Sequence, residues 1–350
     1  MLRQYTDLPP GFLDAKPQQL EAVLGGPSLI HLPGLRDRPL FVSILLHGNE
    51  TSGLEAIQAL LRPFLGRPLP RALSLFVGNV AAARAGLRRL DDQPDYNRAW
   101  PGGVAQDSPE ARMLAEVVDQ MRQRRVFAAI DIHNNTGRNP HYACVNRLDG
   151  RYLHLASLFG STVVYFTRPK GVASMAFAEH CPSVTVECGR PGEAYAAEHA
   201  REFVEAALHL REIRDEPATQ LSVYQTTAIL RVPEGISFGF GDANADLQLM
   251  EDLDQLNFRD LPVGTSLARV MAPGRGRVRV EDSDGEDVTD RYLELESGEL
   301  RTRVAVTPSM LTADPRIIRQ DCLGYLMERL DWNQAGAAIG SGDRQNRSRP

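Results

Sequence analysis

Phe41-Val-Ser-Ile-Leu-Leu-His47-Gly-Asn-Glu50-Thr51 is the stretch whose reading decides the fold. The run Phe41 to Leu46 is short, almost wholly apolar and partly β-branched, which reads as a strand buried in a sheet. Asn49 to Thr51 suit a helix cap, and helical periodicity runs from Thr51 to Leu61. Between them, His47 and Glu50 stand three residues apart across a tight turn from strand end to helix start. That spacing lets an imidazole and a carboxylate reach one metal ion.

Working outward, the same alternation recurs. Strands are expected at Leu73 to Val77, Val126 to Ile132, Thr162 to Phe166 and Ser183 to Glu187. Helices are expected at Pro109 to Arg122, with Ser108 as cap and Pro109 in the first turn, around Leu153 to Phe159, and from Ala194 to Arg214. Alternating strands and helices predict an α/β sheet. Near Asp215 to Thr219 the chain turns polar around Pro217. Leu221 to Val232, Gly276 to Val280 and Tyr292 to Val306 then favour alternation between Gly- and Asp-rich turns. The expected organisation is an α/β domain over residues 1–215, a smaller β-rich domain over 220–333 and a disordered tail over 334–350.

Composition narrows the class. The 350 residues carry a net charge of -6, which argues against a general phosphate-binding surface, so nucleic acid is not an expected partner. The longest apolar runs are far too short to span a bilayer, and no signal-peptide core follows Met1, so a cytoplasmic protein without a membrane partner is expected. The four cysteines, Cys144, Cys181, Cys188 and Cys322, show no C-x-x-C spacing and fit a reducing compartment. A homo-oligomer stays open.

The placement of polar residues points to chemistry. His47, Asn79, His133 and Glu187 each follow or end an expected strand at its carboxyl end, the edge where ligands bind in open α/β sheets. Two imidazoles and Glu50 make a His₂Glu set that leaves a fourth tetrahedral position for water or substrate. A zinc ion there lowers the pKa of its water and polarises a carbonyl, and Glu187 stands where a carboxylate can take the proton and relay it to a leaving amine. Asp131, two residues before His133 on the same strand face, is suited to fix the tautomer of that ring or else to cap the strand end.

His47-Gly-Asn-Glu50-Thr, Gly78-Asn79, Asp95-Tyr-Asn97-Arg98-Ala-Trp-Pro-Gly102, Asp131-Ile-His133 and Val186-Glu187-Cys-Gly189 together resemble the ordered motifs of the succinylglutamate desuccinylase and aspartoacylase family. The likeness covers roughly residues 40 to 190, and Leu256-Asn-Phe258 through Leu261-Pro-Val-Gly-Thr265 resembles the start of that family's β-rich carboxyl-terminal domain. The resemblance implies a mixed-sheet zinc carboxypeptidase-like fold and cleavage of the amide of a small N-acyl amino acid. It implies one zinc ion per chain held by His47, Glu50 and His133, and Glu187 as general base. Asn97 and Arg98 would grip the substrate carboxylate, as an Arg fork does. An upstream arginine, Arg89 or its neighbour Arg88, would polarise the scissile carbonyl, and Asn79 would support the site.

Other stretches depart from the pattern. His133 is followed by Asn134-Asn135-Thr136-Gly137 where desuccinylases carry Thr, and Arg138 to Tyr142 has no counterpart, which predicts a different acyl pocket. His141 is a pocket residue, a rival ligand or a structural loop histidine. Arg168 and Lys170 around Pro169 form either a charged lid or a solvated loop. Asp242 to Asp246 opens like a calcium loop but lacks its Gly and Glu, Glu281 to Gly285 reads as a hairpin turn, and phosphate-loop, dinucleotide and serine-elbow motifs are missing. Alternatives to the N-acyl amino acid deacylase are a carboxypeptidase with an open groove, a deacetylase of another N-acyl compound, and an inactive metal-binding protein.

Overall fold

The computed structural model describes residues 1–332, apart from residues 105, 242, 243 and 272–276. The expected tail, the first residues of the calcium-like stretch and the start of the segment at Gly276 therefore lie outside the described residues.

The expected strands join one mixed sheet of twelve strands. Its centre is the parallel set Leu73–Val77, Leu40–Ile44, Ala128–His133 and Ser183–Glu187. All four are buried along their whole length, which is why they read as continuous apolar runs and not as alternating ones. Outside them, Ser28–Leu32 pairs antiparallel with Leu73–Val77, and Arg3–Tyr5 follows in parallel. On the other side Tyr142–Val145 runs antiparallel to Ser183–Glu187 and parallel to Thr162–Tyr165.

The sheet continues past residue 220. Ser222–Arg231 adds parallel to Thr162–Tyr165, and Gly324–Leu330, Thr307–Ser309 and Arg279–Asp282 extend it antiparallel. Segments on both sides of the polar linker at Pro217 thus share one sheet. A second sheet of five strands, Phe238–Phe240, Leu247–Leu249, Ser266–Val270, Glu299–Thr302 and Leu293–Glu296, builds a β-rich unit with its own core around Leu247, Leu267, Tyr292 and Leu300.

The helices cover the large sheet. Ser52–Leu61 buries Leu54, Ile57, Leu60 and Leu61 and packs against Ala194–His209. Pro109–Gln123 is capped by the Ser108 side chain, which accepts the Ala111 N–H at 3.0 Å. It covers the other face beside Trp100, a fully buried ring set edge-on to Phe41, Phe76 and Phe177. That ring anchors the segment carrying Asn97 and Arg98. Among the described residues, no helix is long and apolar enough to cross a membrane.

Candidate metal and substrate site

The turn after Leu40–Ile44 is set by backbone sterics. Leu45 takes a left-handed conformation with φ 55, unusual for a side chain of its size. Its carbonyl is held at 2.6 Å by the backbone N–H of Asn79. Gly48 permits the next step: a Cβ there would lie 2.1 Å from the Ala83 nitrogen, so the loop rests directly on the helix Val80–Ala85. The Gly48 N–H donates to the Arg88 carbonyl at 3.0 Å, tying the ligand loop to the segment that follows. Asn79 caps that helix through Ala82 and donates to Gln93 at 2.9 Å, so its part is to hold the loop between the two.

His47, Glu50 and His133 converge. One ligand atom from each lies within 4.8 Å of the others, and all three residues are buried. Nδ1 of His47 and Nδ1 of His133 each sit 2.7 Å from one oxygen of the Glu50 carboxylate. Each ring is held from behind: Nε2 of His47 is 2.9 Å from Asp95 and Nε2 of His133 is 2.8 Å from Asp131. A ligand imidazole is characteristically fixed by a carboxylate on the nitrogen turned away from the metal, here Nε2, while Nδ1 of each ring shares its space with the third candidate ligand, Glu50. Two nitrogens and an oxygen, buried and oriented by outer carboxylates, fit zinc. Burial raises the cost of the Glu50 charge, yet the two imidazoles override it and hold the carboxyl well below the usual range.

Glu187 stands directly across the parallel ladder from His133. Burial, reinforced by the charges of Glu50 and Asp131 and opposed by the imidazoles, pushes its carboxyl up to about 7. Its Oε2 is buried with no hydrogen-bond partner among the described residues. A carboxylate so placed is poised to exchange a proton near neutrality.

The two upstream arginines separate. Arg88 lines the cavity, with Nη2 3.0 Å from Asp95 and Nη1 3.6 Å from Glu50. Arg89 points elsewhere: its Nη1 donates to the carbonyls of Leu90 and Gln93. Successive side chains in this irregular loop diverge, and of the two arginines it is Arg88 that lines the cavity.

Asn97 and Arg98 also reach the cavity. The Asn97 side-chain Oδ1 accepts the Ala173 N–H at 3.1 Å, and its Nδ2 lies 3.2 Å from His133. Arg98 is already engaged, its Nη2 donating to both oxygens of Asp321 at 2.8 and 2.7 Å. Burial opposes the Asp321 charge, but Arg98 and Arg88 hold its carboxyl below the usual range.

The far wall comes from segments outside the motifs. Tyr142, Cys144 and Thr185 line it, joined by Thr226, Met310, Ile317, Cys322 and Tyr325 from beyond residue 220. Sequence reasoning missed Asp321 altogether and gave Asp95 no role. Asp95 had a signal in its motif; Asp321, a lone acid in Arg319-Gln-Asp-Cys322, had none. His141 is no rival ligand: its Nδ1 meets Nδ1 of His199 at 2.7 Å, away from the cavity. All four cysteines are buried and free.

Residues 38–214 match the model of the succinylglutamate desuccinylase/aspartoacylase catalytic domain. A succinylglutamate desuccinylase of Burkholderia orbicola is 32% identical over 208 residues, 48% of this chain and 55% of that relative. One from Burkholderia cenocepacia is 32% identical over 205 residues, with 48% and 54% covered. The chain spans about half the length of the curated relatives it matches. Among solved structures, murine aminoacylase 3 superposes with a TM-score of 0.56 at 17% identity, covering 84% of this chain and 96% of that one. A succinylglutamate desuccinylase/aspartoacylase from Rhodobacter sphaeroides gives 0.55 at 16% identity, covering 86% and 88%. These structural likenesses concern the fold. With the match taking in half of the residues, His47, Glu50, His133 and Glu187 among them, the chain belongs to the succinylglutamate desuccinylase/aspartoacylase family.

Proposed function

We propose that this protein is a zinc-dependent deacylase that hydrolyses the amide bond of a small N-acyl amino acid, on a zinc carboxypeptidase-like fold. The observation that carries it is the buried, unpartnered Oε2 of Glu187 beside the three-residue cluster His47, Glu50 and His133. One zinc ion per chain, held by those three side chains, would supply Lewis acidity toward the scissile carbonyl and a more acidic water. Asp95 and Asp131, each on Nε2, would hold the ligand rings in the tautomer whose unprotonated Nδ1, beside Glu50, faces the metal. Glu187 takes a proton from water at its carboxylate and hands it to the leaving nitrogen, which a carboxyl near 7 does in both directions at neutral pH.

Arg88 replaces Arg89 in the proposed role of steadying charge on the carbonyl oxygen, because its guanidinium faces the metal end. Asn97 and Arg98 remain the carboxylate-gripping pair that the family likeness implies. With Asp321 in its fork, Arg98 accepts a substrate carboxylate only by giving up that partner. The free buried cysteines support a reducing, cytoplasmic setting.

A carboxypeptidase needs an open groove for a peptide. The wall formed by Met310, Ile317, Cys322 and Tyr325 favours a small substrate instead. The test is metal analysis and hydrolysis on one preparation, using N-succinyl, N-acetyl and N-formyl amino acids with short peptides beside them. About one zinc per chain and turnover of an N-acyl amino acid is the expected result. A metal-free protein, or one that cleaves only peptides, overturns the assignment.

A further inference from the structure

The cations of the cavity keep together. Nη2 of Arg88 lies 3.4 Å from Asp321, and Nη2 of Arg98 donates to both oxygens of the same carboxylate. Arg98, with Asn97, is the carboxylate grip of the reading above. Tyr142, Cys144 and Val164 belong to a separate buried cluster with Phe166 and Met310 packed against it, and all five line the cavity. Arg168 borders this wall, but its guanidinium rests against Gly285 at the turn 282–285, where its charge acts on Asp282. Among the described residues, no other arginine or lysine lines the cavity. The wall also holds its own weak acids neutral: burial, reinforced by the Glu187 charge, pushes the Tyr142 hydroxyl and the Cys144 thiol well above their usual ranges. A carboxylate brought here meets the same burial and the same charge, whereas a branched alkyl group gains by leaving water.

Met310 reaches this wall by an unusual backbone route. Its φ is 59, a conformation that a methionine keeps only where its surroundings impose it. Those surroundings are specific. The Met310 N–H donates to Oδ1 of Asn139 at 2.9 Å, and both backbone groups of Leu311 are bound by the Asn257 amide, at 2.8 and 2.9 Å. A Cβ on Gly137 would lie 2.0 Å from the Leu311 carbonyl oxygen, and the hydroxyls of Thr136 and Thr312 meet at 2.7 Å. Asn139 in turn donates to Asn135, two residues past His133 and also in the cavity lining. Asn139 belongs to Arg138 to Tyr142, the stretch without counterpart in the family's motifs, so this hold is the chain's own.

We propose that Met310 is a specificity-determining residue, that Asn139 is the positioning residue that sets it, and that the two close an uncharged subsite taking a branched apolar group of the substrate, in its acyl chain or its side chain. The proposal rests on the deacylase reading for the class of compound. Arg98 keeps the carboxylate that every such compound carries.

The test uses two pairs of probes, each matched in shape and differing in charge: N-acetylleucine with N-acetylaspartate, and 4-methylpentanoylglycine with N-succinylglycine. Binding is measured at equilibrium on full-length, metal-loaded Glu187→Gln protein, which stops turnover and removes a charge that would itself repel an anion. In parallel, kcat/KM is measured on the wild-type enzyme. In at least one pair the isopropyl member is expected to be favoured about tenfold or more, and the pair that shows this assigns the subsite to the side chain or to the acyl chain. Met310→Lys is expected to reverse the preference in that pair with zinc content unchanged. If Met310→Lys does not fold, Met310→Gly, which suits the left-handed backbone, takes its place and is expected to bring the preference close to unity. Asn139→Ala is expected to lower the preference about tenfold. Asn139→Asp, which keeps an oxygen for the Met310 N–H, is expected to restore it. A role confined to stability leaves the ratio between matched probes unchanged. The proposal is overturned if neither isopropyl probe is favoured, or if the Met310 variant or Asn139→Ala keeps the wild-type ratio. Failure of the deacylase reading looks different: the isopropyl probe still binds best and no probe is hydrolysed.

Discussion

The two ends of the cavity are built in opposite ways. The proposed metal end is made of strand termini: His133 and Glu187 are aligned by the ladder itself, and His47 follows the neighbouring parallel strand across the turn at Leu45. The other walls are made of unrelated segments, with Met310 after Thr307–Ser309, Ile317 in Pro315–Gln320 and Arg168 after Thr162–Tyr165, while Asp321, in the connection before Gly324–Leu330, reaches Arg88 at 3.4 Å. A rigid sheet edge suits groups whose spacing the chemistry dictates, and connecting segments suit groups that distinguish substrates. Changes at the first end should therefore alter metal content and rate, and changes at the second should alter preference.

The largest expected effect is that of His133→Ala, which removes a ligand and should abolish zinc binding and activity together, checked by metal analysis of the purified variant. Retention of one zinc per chain would break the comparison at its root. Next comes Glu187→Gln, expected to keep the metal while lowering kcat about 10²–10⁴-fold. The carboxylate is the active form, so activity is present above its pKa and lost as pH falls through it. Burial places that limb at about 7 in the protein, and a cation in the site moves it lower, so a pH profile of kcat/KM should show an acid limb no higher than about 7 that Glu187→Gln lacks.

Asp131→Asn leaves the His133 ring without its carboxylate and should weaken zinc roughly 10–100-fold, read by competition with a chelator. The smallest effect is expected at the far wall. Met310→Ala enlarges the pocket and should shift acyl-chain preference by roughly tenfold with zinc content unchanged. A wall variant that lost metal as readily as His133→Ala would show that the two ends are not separable.

The same contrast explains what the sequence could say. Phe41 to Leu46 and Ser183 to Glu187 carry their structure in their own composition, and the residue at each strand end inherits its place from the sheet. Partner choice is different: alternation over Leu221 to Val232 points to a strand but not to the sheet it joins, because pairing is decided by distant surfaces, and Gly324–Leu330, which does not alternate, was not foreseen. That is why the large sheet extends past the polar linker at Pro217, where a separate β-rich unit was expected to begin. Tyr142–Val145 escaped notice because four residues give too little pattern, and it follows the polar stretch Arg138 to His141. Arg88 against Arg89 was undecidable from sequence, since in an irregular loop adjacent side chains have no fixed period. Asp321 acquires meaning only when the chain folds back on Arg98.

The late position of Asp321 also sets an order of events during synthesis. More than a hundred residues separate it from Glu187. At about 5–20 residues per second, His47, Glu50, His133 and Glu187 leave the ribosome roughly ten seconds before it does. During that interval Ser222–Arg231 emerges without Gly324–Leu330, the partner that will cover one of its edges. A nascent chain at this stage exposes hydrogen-bonding groups that another strand can capture, so the same segment that brings Asp321 to Arg98 also ends the period of greatest exposure to aggregation.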